Sequence, residues 1–142
     1  FDIVQPDTAF FGEKDYQQYL VIKKMTESLK LNTRIICVKT VRDRNGLPLS
    51  SRNSYLSGRE FKIAIKINKL LKKLPPLIRT RLKINKILNH TKKVLIDHGV
   101  DKIDYLTVLN DDLSVRKKIS DKSRIFIAAK IGNTRLIDNI KI

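Results

Sequence analysis

Residues 8–40 carry the pattern that most restricts the fold of this chain. Thr8-Ala9-Phe10-Phe11 is a short apolar run that ends in Gly12. It predicts a buried parallel strand that turns into a helix. Asp15 stands where an N-cap is expected. Beyond it Tyr19, Ile22, Met25 and Leu29 recur at helical spacing. Thr33 to Thr40 is nearly continuous and β-branched, with Ile35, Ile36 and Val38, and predicts a second buried strand. A strand, a helix and a strand within about thirty residues make a βαβ unit. In such sheets ligands bind beyond the carboxyl ends of the strands, and two polar clusters of this chain follow such ends.

The remainder reads differently. Arg42 to Ser57 has turn chemistry, with Asn45-Gly46 and Pro48 inside it, and is expected to be a mobile loop. Ser57 to Leu74 predicts an amphipathic helix, with Ser57 and Glu60 as a capping box. Its apolar stripe is Ile63, Ile67, Leu70, Leu71 and Leu74, opposite Lys62, Lys66, Lys69 and Lys73. Pro75-Pro76 should stop it. A second helix is expected from about Arg79 to His98, with Ile84, Ile87, Leu88, Val94 and Leu95 inward and Gly99 as its stop. Strands are expected at Ile103–Leu109 and Arg124–Lys130, with a short extended piece at Thr134–Ile137. The expected division is residues 1–40, the end of a doubly wound α/β domain, and residues 41–142, a small α+β domain of two helices and a few antiparallel strands.

Composition narrows the function classes. A chain of 142 residues holds one ordinary domain or parts of two. With 42% hydrophobic and 31% charged residues it can build a core. No apolar run is long enough to span a membrane, and Phe1 to Leu20 lacks a signal-peptide layout. Cys37, the single cysteine, cannot form an internal disulfide, so the cytosol is the default compartment. A net charge of +16 fits a polyanion partner. It also fits compositional drift, because Lys, Ile and Asn are enriched together and the lysines are spread along the whole chain.

The first cluster, Gly12-Glu13-Lys14-Asp15-Tyr16-Gln17-Gln18, brings a lysine to a helix start. Its charge would add to the positive end of the helix dipole, a natural seat for a triphosphate. Gln18, four residues on, would share its face and suits a hydroxyl or carboxylate. The bland alternative is a solvated helix face. The second cluster is Gly46-Leu47-Pro48-Leu49-Ser50-Ser51-Arg52-Asn53. Hydroxyls and turn amides can cradle phosphate oxygens, and arginine adds bidentate bonds that count most when pyrophosphate leaves. Here the bland alternative is a polar loop that only caps a helix.

Phe11-Gly12-Glu13-Lys14-Asp15-Tyr16-Gln17-Gln18, Leu49-Ser50-Ser51-Arg52-Asn53-Ser54-Tyr55-Leu56-Ser57 and Thr134-Arg135-Leu136-Ile137-Asp138-Asn139, in that order and spacing, resemble the pantoate–β-alanine ligases. The resemblance covers essentially the whole chain and corresponds to the C-terminal half of the family's length. It implies the end of a Rossmann-like nucleotidyltransferase domain followed by a lid domain. It also implies a two-step reaction. Pantoate carboxylate attacks the α-phosphorus of MgATP, and β-alanine then attacks the acyl carbon of pantoyl adenylate. On this resemblance Gly12, Glu13, Lys14, Asp15 and Val41 line the ATP site, and Gln18 binds pantoate. Leu49, Ser50, Ser51 and Arg52 form a mobile phosphate loop, with Lys14, Ser50, Ser51 and Arg52 as the catalytic groups. A cytoplasmic homodimer is implied, with no nucleic-acid or membrane partner. Asp43, Asn45, Pro48 and Leu49 depart from the family's usual loop, and Pro48 should stiffen it.

Other residues carry less. His90, His98 and Asp111-Asp112 lack partners at metal-ligand spacing, and no protein metal site is expected. Arg135 and Asp138-Asn139 read as structural. The competing functions are a basic nucleic-acid-binding module and another adenylating ligase of the same superfamily. The chain begins at Phe1, in what reads as the middle of an element, and the family's His-x-Gly-His segment is not in it. The expectation is a fragment with half an active site. Incubated alone with ATP, pantoate and β-alanine, these 142 residues should release no AMP.

Overall fold

A computed structural model describes residues 1–80, 83–114, 119–120 and 122–142. The chain divides into two units, Phe1–Val41 and Arg42–Ile142. The fold is α/β.

In the first unit, β1 (Thr8–Gly12) and β2 (Arg34–Val38) pair in parallel, with Gly12 opposite Val38, and α1 (Tyr16–Ser28) connects them. The βαβ expectation therefore holds, with two corrections. The strands are half-buried, and Phe10 and Val38 are 66% and 44% exposed. One helix joining two strands cannot cover both faces of the pair. The expected helical stripe also ends early: Tyr19, Ile22 and Met25 are half-buried, whereas Leu29 is exposed. Leu29 lies past the last helical residue, and Lys30 turns left-handed beside it at φ 52°. The buried position on α1 is Thr26, whose hydroxyl donates to the Lys23 carbonyl at 2.8 Å.

In the second unit, β3 (Lys102–Asn110), β4 (Ser123–Ile131) and β5 (Thr134–Lys141) form an antiparallel meander in the order β3-β4-β5. The third strand is twice the length expected from sequence. Ile125, Ile127, Ala129 and Ile131 line one face of β4 and join the core with Leu106, Val108 and Ile142. Alternation places them on one side of the pleat. Phe126 and Ala128 on the other face are buried as well, so β4 reads as a near-continuous apolar run.

Helix α2 (Gly58–Leu71) supplies Ala64, Ile67 and Leu71 to the core, while Lys62, Lys66, Lys69 and Lys73 are exposed. The helix ends before Leu74, so Pro75-Pro76 do not stop it. Instead they occupy the first turn of α3 (Leu74–Arg79). That position suits proline, because its missing N–H would have no intrahelical partner there. Leu74 and Ile78 are buried from this short helix. Helix α4 (Ile84–Asp97) is shorter than expected at its start. Lys83 is left-handed at φ 50° and separates it from α3; positions 81 and 82 of the expected helix lie outside the described residues. Gly99, at φ 98°, ends it as expected. The Val100 and Gly99 N–H groups donate to the Leu95 and Ile96 carbonyls at 3.1 and 2.8 Å, a Schellman pair. No helix among the described residues is long and apolar enough to cross a membrane.

The capping box of α2 forms as read. The Ser57 hydroxyl accepts from the Glu60 N–H at 3.3 Å, and the Ser57 N–H donates to Glu60 Oε2 at 2.8 Å. The Ser57 side-chain and backbone hydrogen bonds hold the Glu60 carboxyl below the usual carboxylate range. Likewise, the Arg135 guanidinium at 2.7 Å holds Asp104 low. Ser57→Ala should cost about 1 kcal/mol of unfolding free energy at neutral pH, read by denaturant titration. Because Glu60 has a depressed folded pKa, its contribution is present above the unfolded value of about 4.3. It is lost as pH falls through the lower folded value. The stability gap between the wild type and Glu60→Gln should therefore close in acid.

Candidate active site

The first polar cluster starts where β1 stops. Gly12 is extended, at φ −70° and ψ 132°, so its backbone does not need glycine. A Cβ there would meet nothing within 4 Å. The side-chain space at the carboxyl end of β1 is thus open. Glu13–Asp15 form a 3-10 turn, and α1 begins only at Tyr16. Lys14 therefore sits in a turn ahead of the α-helix, and the expected shared helical face with Gln18 is replaced by a junction. The cause lies in Asp15, whose backbone at φ −93° and ψ 51° interrupts the helical run. Asp15 occupies the N-cap position, but its side chain makes no capping hydrogen bond. Gln18, in the first turn of α1, is exposed, as is Asp15, and Lys14 is half-buried.

Glu13 ties this turn to the end of the second strand: its Oε2 accepts from the Thr40 N–H at 3.4 Å. The contact spans the carboxyl ends of the two parallel strands and brings Gly12–Asp15 near the segment that ends in Val41. Val41 is 63% exposed. The Thr40 hydroxyl is shielded from solvent and has no hydrogen-bond partner among the described residues.

The second cluster belongs to the other unit, and its stem is ordered by its own hydrogen bonds. Arg42 bridges Pro48, and the Asp43 N–H donates to the Leu47 carbonyl at 2.9 Å. Asp43 Oδ1 accepts from the N–H groups of Asn45 and Leu47 at 2.9 and 2.8 Å, an Asx-type turn. Leu47 and Pro48 are buried. The expected long loop is therefore a tight turn over residues 42–48 followed by a 3-10 helix, Ser51–Tyr55. Asn53 Nδ2 donates to the Pro48 carbonyl at 2.9 Å and closes the arch between them. Leu49, Ser51 and Arg52 are exposed on that arch, and Ser50 is half-buried. The Ser50 hydroxyl accepts from the Arg52 N–H at 3.2 Å. Two hydroxyls and a guanidinium thus crowd one short bend, an arrangement able to hold an anion.

Sequence reasoning missed what anchors the stem. Arg42 makes a two-pronged ion pair with Asp138, Nη1 to Oδ2 and Nη2 to Oδ1, both at 2.8 Å. Asn68 Nδ2 of α2 donates to Asp138 Oδ2 at 3.2 Å. One signal was available, because Asn68 interrupts the apolar stripe between Ile67 and Leu71 and is 1% exposed. Gly46 packs directly against it: at φ 86°, a Cβ on Gly46 would lie 2.5 Å from Asn68 Oδ1. Gly46→Ala should therefore destabilise the protein by about 1–3 kcal/mol, read by denaturant titration, through left-handed strain and this clash.

The sequence model of the family described as pantoate-beta-alanine ligase matches residues 1–141. The chain is 40% identical over 142 residues to a pantothenate synthetase of Shewanella oneidensis, covering 99% of this chain and 50% of that protein. It therefore spans about half the length of the curated relatives it matches. Its fold superposes on the crystal structure of pantothenate synthetase from Thermus thermophilus with a TM-score of 0.89 at 33% identity, over 99% of this chain and 51% of that one. A pantoate-beta-alanine ligase from Francisella tularensis, complexed with beta-gamma ATP and beta-alanine, gives a TM-score of 0.73 at 34% identity, over 99% and 45%.

Proposed function

The chain belongs to the pantoate–β-alanine ligase family, and on that premise we propose that the protein carrying it condenses pantoate with β-alanine at the expense of ATP. The products are pantothenate, AMP and diphosphate, formed through pantoyl adenylate. The observation that carries this reading is the family match across residues 1–141, with both phosphate-competent clusters inside it. The open side-chain space at Gly12 supports a nucleotide there, because backbone at a strand end can approach a ligand closely when no Cβ intervenes. The substrate is ATP, in keeping with the nucleotide named in the Francisella tularensis complex, and it is read as the magnesium complex.

In the first step a pantoate carboxylate oxygen bonds to the α-phosphorus, and the bond from that phosphorus to the bridging oxygen of pyrophosphate breaks. No general base is needed, because a carboxylate is already deprotonated at neutral pH. Negative charge shifts onto the departing pyrophosphate. Lys14 and Arg52 neutralise it, and the hydroxyls of Ser50 and Ser51 donate to its oxygens. Gly12, Glu13, Asp15, Val41 and Leu49 line the nucleotide site in this reading, and Gln18 holds pantoate through its amide. Glu13 also has a structural task, since its carboxylate bonds the Thr40 N–H. In the second step the neutral β-alanine amine bonds to the acyl carbon, the bond from that carbon to the AMP phosphate oxygen breaks, and the amine's proton passes to the departing phosphate. Residues 41–142 act as the lid that keeps water from the adenylate. The whole protein is read as a cytoplasmic homodimer.

Lys14→Ala in the full-length protein should lower AMP formation by about 10²–10³-fold. Lys66→Ala, on the exposed face of α2, should leave it within about two-fold. A coupled AMP assay reads both. If the two variants instead weaken RNA retention alike, in a salt-dependent way, the protein is a polyanion-binding module.

A further inference from the structure

We propose that Asp138, acting through Arg42 and Asn68, is a positioning residue for the Ser50–Arg52 arch; the proposal rests on the ligase reading above. Asp138 is 6% exposed and accepts from Arg42 Nη1 and Nη2, from Asn68 Nδ2 and from the Asn139 N–H. Those donors come from the loop stem, from α2 and from β5. Two further Arg42 N–H groups reach backbone, Nη1 the Gly46 carbonyl of the turn at 3.1 Å and Nη2 the Asn139 carbonyl of β5 at 3.3 Å.

The geometry of the arch follows from this knot. Asn68 and Arg42 together seat Gly46, and the turn through Asp43 delivers Leu47 and Pro48 into the core. Pro48 in turn holds Asn53. The residues that meet phosphate are therefore strung between two fixed points, one of them set by the Asp138 carboxylate. Stability alone is a poor reason for such a knot. A buried ion pair commonly contributes no more than well-packed apolar residues of the same volume, while it does fix one geometry. Preorganised donors act most strongly on charge that develops in the transition state. The knot should therefore matter for the step that expels pyrophosphate and little for the aminolysis that follows.

The test uses the full-length protein with Asp138→Asn and Arg42→Lys, and two half-reactions. Adenylation is read by pantoate-dependent exchange of labelled pyrophosphate into ATP. Aminolysis is read by supplying pantoyl adenylate and β-alanine. Asp138→Asn should lower kcat for exchange by about 10–100-fold, the scale of a misplaced catalytic group. The KM for pantoate and the aminolysis rate should stay within about three-fold of wild type. Arg42→Lys keeps the charge but loses the fork, so it should fall between wild type and Asp138→Asn. Equal losses in both half-reactions, tracking a loss of folded protein, would overturn the proposal, as would no loss in either. Amide hydrogen exchange gives a readout that needs no activity. In both variants it should quicken at residues 49–53 and stay unchanged in α4; unchanged exchange at 49–53 refutes the anchoring role. A wild-type protein that shows no pyrophosphate exchange, yet whose variants loosen residues 49–53, sinks the ligase reading and leaves the anchor standing.

Discussion

Burying one carboxylate sets terms that three separate stretches of this chain must meet. A charge withdrawn from water costs several kcal/mol unless donors surround it. Asp138 meets that demand with the Arg42 fork, the Asn68 amide and a backbone N–H. Each donor then constrains its own element: Arg42 the turn, Asn68 the packing of α2, and the Asn139 N–H the path of β5. Beside it on β5, Asn139 Oδ1 accepts from Arg124 Nε and Nη2 at 3.1 and 2.6 Å, so the neighbouring buried guanidinium on β4 is hydrogen-bonded too.

What is readable in the sequence is local. The Ser57–Glu60 capping box, the Gly99 helix stop and the βαβ order of residues 8–40 each depend on residues a few positions apart or on periodicity, and each forms as read. The misreadings have equally specific causes. A proline pair is compatible with the end of one helix or the start of the next; here it only begins α3, and sequence shows no more than that a boundary is near. Lys14 and Gln18 are four apart, but the α-helical face argument assumes a continuous helix, and the Asp15 backbone breaks it. The glycine and proline content of residues 42–57 suggests a mobile loop. Those residues form a turn closed by Asp43 and seated on Asn68, contacts that the glycine and proline content does not announce. The pairing of Arg42 with Asp138 joins positions 96 apart, and no pattern in a single sequence announces such a contact.

The clusters that carry the proposed chemistry lie at element boundaries, one at the end of a parallel strand and one on a bend after a tight turn. Regular elements flank both. This division of labour is common, with regular elements fixing positions and short irregular segments presenting reactive groups. The lysine face of α2 has a different character. Lys62, Lys66 and Lys69 are exposed opposite the apolar stripe, the pattern expected of the solvent side of an amphipathic helix; Lys73, also exposed, lies past its end. Helical periodicity alone accounts for their placement.

The buried Pro48, held through its carbonyl by Asn53, has a thermodynamic corollary. A segment pinned at both ends has already surrendered most of its backbone freedom before any guest arrives. In the proposed function, gripping an anion there forfeits little additional disorder, so attraction is spent on the guest and not on quieting the chain. A floppier version of the same bend would have to draw part of its grip from cooling, tightening in the cold and slackening with heat, a sensitivity the pinned bend is built to avoid.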